Sequence, residues 1–173
     1  MPSTHRPDPG RIVPTATYRL QVHAGFGFDA AAEHTGYLAS LGVSHLYLSP
    51  VLQAAPGSMH GYDVLDHTRI SEEAGGREAF QRLVTACREA GLGIIVDVVP
   101  NHMTVPEPTH LNAPFWSLLR DGRRSPYAGW FDVDWVAEGE RILMPVLGGT
   151  VEQAIEAGQL VLADDGGPSG ADH

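Results

Sequence analysis

The stretch Gly93-Ile-Ile-Val-Asp-Val-Val99 decides the fold predicted for this chain. Its almost unbroken apolar character predicts a β-strand that is buried on both faces, which is typical of a parallel sheet covered by helices. The residues before it predict a helix from Arg77 to a left-handed stop at Gly91, because apolar side chains recur there at helical spacing. Those side chains are Phe80, Leu83, Val84, Cys87 and Ala90.

The residues upstream repeat this alternation of helix and strand. Residues 15–21 predict a strand because they are rich in β-branched and aromatic side chains, and residues 43–48 predict another. Between them, Asp29 predicts the start of a helix and Gly42 its end. A long polar loop is predicted from residue 49 to about residue 76. The order predicts an α/β fold, either an open doubly wound sheet or the start of a barrel, and the pattern alone leaves that choice open.

The residues after Pro100 lose the regular alternation. They are punctuated by prolines and hold the tryptophans Trp116, Trp130 and Trp135. We predict an inserted subdomain here, with at least two of the tryptophans in its core and a lid over a ligand site as the alternative role. Three short elements are predicted to follow: a helix over residues 151–157, a strand over 159–163 and a loop over 164–170.

The composition is typical of a globular protein and excludes several classes of function. The formal net charge of −10 disfavours nucleic acid and anionic membrane surfaces as partners and favours a neutral substrate. Cys87 is the only cysteine, so no internal disulfide is predicted and a cytoplasmic location is favoured. Residues 1–13 are predicted to be a flexible terminus without a signal sequence or membrane anchor. We expect no metal or other cofactor, because the histidines lack metal-ligand spacing.

Polar residues cluster where the third predicted strand ends. Asp97 lies among apolar neighbours, where an unpaired carboxylate would be costly to bury, so we expect it to have a partner. Asn101 and His102 follow on the loop, and α/β folds place ligand sites at this end of parallel strands. We predict a ligand site; the alternative is a loop capped by Asp97 with His102 at the surface.

A second polar cluster, His60-Gly-Tyr-Asp63, lies in the loop after strand two and therefore at the same edge of a parallel sheet. The ring of Tyr62 offers a stacking surface to a sugar, and the neighbouring carboxylate and imidazole can bond hydroxyls. A turn in which Tyr62 packs on the rim is the alternative, and the residues alone do not decide between the two. If this is a site, we expect Asp97 and His102 to face Tyr62 across a gap as wide as a pyranose ring.

These segments resemble a known family. Asp97-Val-Val-Pro-Asn-His102 is similar to the first signature region of the α-amylase superfamily, Asp-x-Val-x-Asn-His. Three upstream segments resemble one branch of it, the maltooligosyl trehalose synthases: Tyr18-Arg-Leu-Gln21, Gly42-Val-Ser-His-Leu-Tyr-Leu-Ser-Pro50 and His60-Gly-Tyr-Asp63. Three later segments resemble it too: Ser125-Pro-Tyr127, Phe131-Asp-Val-Asp-Trp135 and Leu143-Met-Pro-Val-Leu-Gly148.

The resemblance implies a partial (β/α)₈ TIM barrel of about three βα units over residues 14–102, followed by a domain B-like inserted subdomain over residues 103–173 that is truncated at its end. A full barrel needs about 250 residues. In this superfamily the nucleophile, the acid/base and the third carboxylate come from strands four, five and seven. The chain is therefore expected to be a fragment without the catalytic carboxylates, and inactive alone.

The resemblance also implies roles for individual residues. Tyr62 would stack on the glucose ring at the scissile bond, His102 would bond its primary hydroxyl, and Asp97 would hold an active-site arginine. Asn101 occupies a position that binds calcium in many amylases, although no metal is expected in this branch. The substrate-binding residues expected are Tyr62, Asp97, His102, His60, Asp63, Asn101 and Gln21.

The activity implied for the whole protein is that of an isomerase, a (1→4)-α-D-glucan 1-α-D-glucosylmutase. It would convert the α-1,4 bond at the reducing end of a maltooligosaccharide to an α,α-1,1 bond through a retained glycosyl-enzyme, within a trehalose pathway that includes a trehalose-releasing hydrolase. The alternatives are another glucanotransferase or hydrolase of the superfamily, and a non-catalytic glucan-binding remnant.

Overall fold

The computed structural model of the protein describes residues 12–137, 139–144, 147–162 and 168–169. The chain forms two compact units, Met1–Ser117 and Leu118–His173. The predicted flexible terminus lies outside the described residues except for its last two positions, as do residue 163 and most of the predicted loop over 164–170. Among the described residues, no helix combines the length and the apolar character needed to span a bilayer.

A three-stranded parallel sheet lies at the centre of the first unit. Its strands are β1 (Thr17–Leu20), β2 (His45–Leu48) and β5 (Gly93–Val96), in the order β1-β2-β5. All three were predicted from the sequence, and so was their parallel direction, which the register of both pairs confirms. The prediction of an α/β fold is therefore confirmed.

Three helices accompany this sheet: α1 (Phe28–Glu33), α2 (Thr35–Ser40) and α3 (Gly76–Glu89). The third was predicted correctly, including its left-handed stop, because Gly91 has a φ of 72°. The prediction of one helix between β1 and β2 was wrong, since the chain breaks into α1 and α2 at His34.

Side chains that compete for backbone carbonyls accompany this break. The His34 ring lies 2.8 Å from the carbonyl oxygen of Ala30, and the Thr35 hydroxyl donates to that of Ala32 at 2.9 Å. Bonds of this kind favour turns over continuous helix. The predicted cap was also wrong: α1 begins without a side-chain cap, and Asp29 instead accepts two 2.7 Å bonds from Arg82 of α3.

The core of the first unit lies between one face of the sheet and the helices. Leu46 and Leu48 of β2 are completely buried, as are Phe28 of α1 and Leu83 of α3. Phe28 also meets Phe80 edge-on, with 5.3 Å between ring centroids. Burial of this apolar face, which contributes about 1.5–3 kcal/mol for each fully buried large side chain, fixes the helices on the sheet.

The prediction that the third strand is buried on both faces was wrong. All four residues of β5 are half-buried, and Val98, which follows the strand, is 61% exposed. Ile94 and Val96 pack against the core, but β5 pairs only with β2 in the described sheet, so its other edge is not covered by a neighbouring strand.

A hairpin occupies the segment between β2 and α3, where a continuous polar loop was predicted. Its strands β3 (Leu52–Ala54) and β4 (Val64–Ile70) pair antiparallel, with two register irregularities. The segment after β5 lies beside it, since the amide of Thr104 donates to the carbonyl of Val64 at 2.9 Å and His67 lies 2.8 Å from the carbonyl of Val99. The hairpin was missed because β3, with only three residues, is too short to show the alternating pattern of a strand in the sequence.

Helix α4 (Ala113–Asp121) begins at a buried side chain, Asn112. Its amide nitrogen donates to the carbonyl of Thr104 at 2.9 Å, and its amide oxygen accepts from the backbone of Phe115 at 3.1 Å. An asparagine at this position satisfies one of the free N–H groups of the first helical turn. Asn112 thereby ties the start of α4 to the segment that follows β5.

The second unit has little regular structure. Helix α5 (Val151–Glu156) begins with a capping box formed by Thr150 and Gln153, as expected for the helix predicted over residues 151–157. Two short strands, β6 (Val161–Leu162) and β7 (Pro168–Ser169), pair antiparallel. The first fits the strand predicted over residues 159–163, whereas β7 replaces part of the predicted loop.

The prediction that at least two tryptophans form a subdomain core was wrong. Trp116 of α4 is 44% exposed and Trp130 is 68% exposed, while Trp135 is half-buried. Trp130 lies on a single turn of 3₁₀ helix and packs edge-on against Tyr127, with 5.0 Å between ring centroids. One such turn presents too small an apolar face to enclose an indole ring.

Replacing Gly27 with alanine is expected to lower the free energy of unfolding by about 1–3 kcal/mol. A Cβ at Gly27 would lie 2.5 Å from the carbonyl oxygen of Ala74, which accepts a hydrogen bond from the Phe28 amide at 2.8 Å. The matched control is Gly36→Ala in α2, where a Cβ meets nothing within 4 Å; it should stabilise by about 0.5 kcal/mol. Urea titration of both variants checks this, and equal stabilities would contradict it.

Cys87, predicted to be a buried apolar residue, is 1% exposed, and burial raises its thiol pKa to about 11. We expect the folded protein to resist Ellman's reagent at pH 8, and the protein in guanidinium to yield its one thiol. The folded state holds the thiol proton more tightly than the unfolded state, so this contribution to stability is complete below the ordinary thiol pKa and is lost as the pH rises towards 11. Rapid labelling of the folded protein by Ellman's reagent at pH 8 would contradict the expected protection of the thiol.

Candidate functional site

One face of the parallel sheet is polar. Side chains alternate across a strand, so the residues between those of the core point to the opposite face. Arg19 lies directly beside Tyr47 in the register of β1 and β2, and Tyr47 lies beside Ile95 of β5. Gln21 and Asp97 continue the same rows past the strand ends. Polar side chains from all three strands therefore gather towards the carboxyl edge of the sheet.

The carboxylate of Asp97 has two hydroxyl partners. Tyr62 donates to its Oδ2 atom at 2.5 Å and Tyr47 to the same atom at 3.2 Å. The hydrogen bond to Asp97, with desolvation adding to it, raises the pKa of Tyr47. The partner expected for this half-buried carboxylate is thus present. The expected gap as wide as a pyranose ring is absent, because the Tyr62 hydroxyl bonds the carboxylate directly. The surface available to a ligand is therefore the Tyr62 ring, not a space between Tyr62 and Asp97.

Arg19 ties the Tyr62 loop to the first strand. Its guanidinium donates to the Tyr62 hydroxyl at 3.3 Å and to the side chain of Gln21 at 3.1 Å, and lies 5.7 Å from the centre of the Tyr47 ring. The bond to Tyr62 is the largest cause of a raised pKa at Arg19. Gln21 in turn donates to the carbonyl of Met59 at 2.7 Å. The hydroxyl of Tyr62 is therefore held between a guanidinium and a carboxylate.

The backbone before Tyr62 depends on a glycine. Gly61 has a φ of 77°, and a Cβ there would lie 2.7 Å from the carbonyl oxygen of Pro50. The amide of Gly61 donates to the hydroxyl of Ser58 at 3.0 Å, and that hydroxyl donates to the carboxylate of Asp63. The tight turn thus explains both the glycine and the aspartate of the His60-Gly-Tyr-Asp63 segment.

The two predicted histidines lie on either side of Tyr62. The amide of Tyr62 donates to Nδ1 of His60 at 3.1 Å, and the two rings are stacked with 6.0 Å between centroids. Nε2 of His102 lies 3.2 Å from the carbonyl oxygen of Tyr62, and its Nδ1 lies 3.2 Å from the side-chain oxygen of Asn101. His60 also lies 3.7 Å from Asp63.

All seven residues predicted from the sequence thus belong to one network of contacts around Tyr62. Their roles towards a substrate stay predictions. The arginine expected at Asp97 also stays a prediction. In the part of the chain that the structure describes, no arginine forms an ion pair with Asp97, and Arg19 is linked to Asp97 only through the Tyr62 hydroxyl.

Two members of this network, Arg19 and Tyr47, were missed from the sequence as site residues. The signal that could have found them is the alternation of the strands. Arg19 and Gln21 are two residues apart on β1 and its extension, and Tyr47 is the polar side chain of β2 on the same face.

The residues of this edge do not fit a calcium ion. Calcium takes six to eight oxygen ligands, commonly with several carboxylates. Across the described ranges, no group of three or more histidine, cysteine or acidic side chains could hold a metal. The side-chain oxygen of Asn101, at the position that the family resemblance associates with calcium, faces Nδ1 of His102 instead.

Comparisons with known proteins agree with the motifs. Residues 27–139 match the model of the alpha amylase catalytic domain. The chain belongs to the α-amylase family. This family member is 51% identical to a putative maltooligosyl trehalose synthase of Mycobacterium tuberculosis over 138 residues, which cover 77% of the chain and 18% of that protein. It is 30% identical to a maltogenic α-amylase of Bacillus acidopullulyticus over 73% of the chain and 21% of that protein.

The structure of a maltooligosyltrehalose synthase from Arthrobacter ramosus superposes on this family member with a TM-score of 0.80 and 43% identity, covering 88% of the chain and 20% of that protein. The resemblance read from the motifs is therefore confirmed. The chain spans about a fifth of the length of these relatives.

Proposed function

We propose that this chain forms the first part of the glucan site of an enzyme that isomerises maltooligosaccharides to trehalose-ended products. The observation that carries the proposal is the contact of Tyr62 with Asp97 and His102 at the carboxyl edge of a parallel sheet. An aromatic ring held among groups that bond hydroxyls is the surface a pyranose ring requires. Similarity to maltooligosyl trehalose synthases supports this activity over others of the family.

The polar face of the sheet supports the start of a (β/α)₈ barrel over a doubly wound sheet. A doubly wound sheet carries helices on both faces, and both faces are then apolar. Here one face buries Leu46 and Leu48, while the other presents Arg19, Tyr47 and Asp97. We assign residues 14–102 to the barrel and residues 103–173 to the inserted subdomain.

Binding would place a glucose ring on the exposed part of Tyr62, which is 38% accessible. His102 lies beside it and would donate to or accept from the primary hydroxyl. Asp97 does not act on the bond itself; it fixes the angle of the Tyr62 ring through a hydrogen bond and accepts a second one from Tyr47. His60, Asp63, Gln21 and Asn101 support this surface through their contacts with the same loop.

The reaction then needs two further carboxyl groups, one to protonate the scissile α-1,4 bond and one to attack the anomeric carbon. The resulting glycosyl-enzyme retains configuration when the freed glucose, turned in place, attacks it through its own anomeric hydroxyl. Water must be excluded, because its attack would release a reducing sugar. The residues of this chain contribute by holding the ring of the glucose unit that forms the glycosyl-enzyme, while the freed glucose turns.

The pathway and location follow from this chemistry. A trehalose-ended oligosaccharide has no reducing end, so a hydrolase that releases trehalose is the expected consumer of the product. The substrate proposed is a maltooligosaccharide or another α-glucan, and the single cysteine favours a cytoplasmic location. No nucleic acid or membrane partner is proposed.

Product analysis tests the proposal. The full-length protein that contains this chain, incubated with maltopentaose, should remove reducing ends without releasing glucose or shorter maltooligosaccharides. The chain of 173 residues alone should give no product. Accumulation of reducing sugar without a non-reducing product would replace this function with that of an amylase.

A further inference from the structure

We propose that the second unit carries a binding site for neutral oligosaccharides, in the cleft at Trp135. The ligand class, an α-glucan, rests on the proposed function; the site does not belong to the Tyr62 network. The cleft is an open surface depression with a volume of about 610 Å³. Its lining residues are Arg123, Asp132, Val133, Asp134, Trp135 and Val136.

The aromatic surface of this cleft is fixed by its backbone. The carboxylate of Asp134 accepts from the amides of Val136 at 3.2 Å and Ala137 at 3.0 Å. The amide of Trp135 donates to the carbonyl of Val133 at 3.1 Å, and its carbonyl accepts from Glu140 at 2.8 Å. These bonds fix the backbone of the turn, so little backbone entropy is lost when a sugar stacks on the Trp135 ring.

The polar groups of the cleft suit hydroxyls. The guanidinium of Arg123 lies over the Trp135 ring, 5.5 Å from its centre, and pairs with Glu140 at 2.7 Å, so a sugar can stack only on the opposite face of the ring. Asp132 supplies an exposed carboxylate among the lining residues. An aromatic ring with a guanidinium over one face can present its other face to the apolar side of a pyranose, and the guanidinium and the carboxylate can bond hydroxyls.

Charge selects against ionic ligands. The one cation of the lining, Arg123, is paired with Glu140, and Asp132 and Asp134 add two negative charges. A phosphate or carboxylate ligand would meet this negative potential, whereas an uncharged glucan would not. The indole of Trp135 is also only half-buried, so a stacked sugar would cover apolar surface that water now contacts.

Native affinity electrophoresis of the whole chain in gels containing soluble starch tests the site. The chain should be retarded, and Trp135→Ala should lose at least about 90% of the retardation. The matched control is Trp130→Ala, which removes an exposed indole of the same unit outside the cleft. Tyr62→Ala should reduce the retardation much less than Trp135→Ala does, because Tyr62 does not line the cleft. Circular dichroism checks that each variant is folded, and Arg123→Gln, which keeps the turn, should weaken retardation as a second variant.

The outcomes separate this site from the proposed function. Absence of retardation of the parent chain, equal retardation of Trp135→Ala, or loss confined to Tyr62→Ala would each overturn the site in the second unit. None of these results bears on whether the full-length protein isomerises maltopentaose. Conversely, a protein that hydrolyses maltopentaose but shows retardation dependent on Trp135 would lose the proposed reaction and keep this binding site.

Discussion

Replacing Gly61 with alanine is expected to lower kcat/KM for maltopentaose in the full-length protein by about 100-fold, the scale associated with a displacement of about 1 Å near a reacting group. A side chain there would need both a left-handed backbone, at φ 77°, and space that the carbonyl oxygen of Pro50 occupies 2.7 Å away. The turn must open, and Tyr62, the next residue, moves with it. Steady-state kinetics on the variant provide the measurement.

Gly57 offers a matched control in the same loop. It has the same φ of 77°, but a Cβ there meets nothing within 4 Å. Gly57→Ala therefore carries the cost of a left-handed alanine, about 1 kcal/mol of stability, without the clash with Pro50 that Gly61→Ala would also have. Its kcat/KM should stay within about twofold of the parent value. Equal losses of activity in Gly57→Ala and Gly61→Ala would show that the close approach to Pro50 does not position Tyr62.

Asp97→Ala is expected to lower kcat/KM by a similar factor, on the order of 100-fold. The substitution removes the acceptor of two hydroxyls, those of Tyr62 at 2.5 Å and Tyr47 at 3.2 Å. Tyr62 would then be held by Arg19 through a single 3.3 Å bond, and its ring would lose its fixed angle. The measurement is kcat and KM for maltopentaose, together with a melting curve to show that the variant is folded.

The control for Asp97 is another aspartate with close partners. Asp29 accepts two 2.7 Å bonds from Arg82, which lower its pKa, yet both side chains are exposed on the helices. Exposed ion pairs of this kind contribute little to stability, so Asp29→Ala should keep its activity. If Asp97→Ala were as active as Asp29→Ala, the carboxylate of Asp97 would have no part in holding the site.

The course of the strands and of α3 was predictable because local patterns determine them. Three patterns can each be recognised from residues that lie close together in the sequence: the apolar run that contains β5, the helical spacing that ends at Gly91 and the β-branched run of β1. The break at His34 and the hairpin β3–β4 were not predictable. They depend on hydrogen bonds of individual side chains and on pairing of a three-residue strand with one that begins ten residues later.

The candidate site was predictable in its members but not in its geometry. Shared position at strand ends brought Asp97, His102 and Tyr62 together in the prediction, and the structure places them in contact. The direct bond between Tyr62 and Asp97 follows from the reach of a tyrosine side chain, which no spacing rule reports. Alternation assigns Arg19 and Tyr47 each to one face of its own strand, but the register of the strands is needed to show that the two residues lie side by side.

The position of a bound glucan tests the central claim most directly. A crystal structure of the full-length protein with maltopentaose should show a glucose ring stacked on Tyr62, with its primary hydroxyl within hydrogen-bond distance of His102 and with the bond between Tyr62 and Asp97 preserved. A glucan bound in the active site with no ring in contact with Tyr62 or His102 would contradict the account.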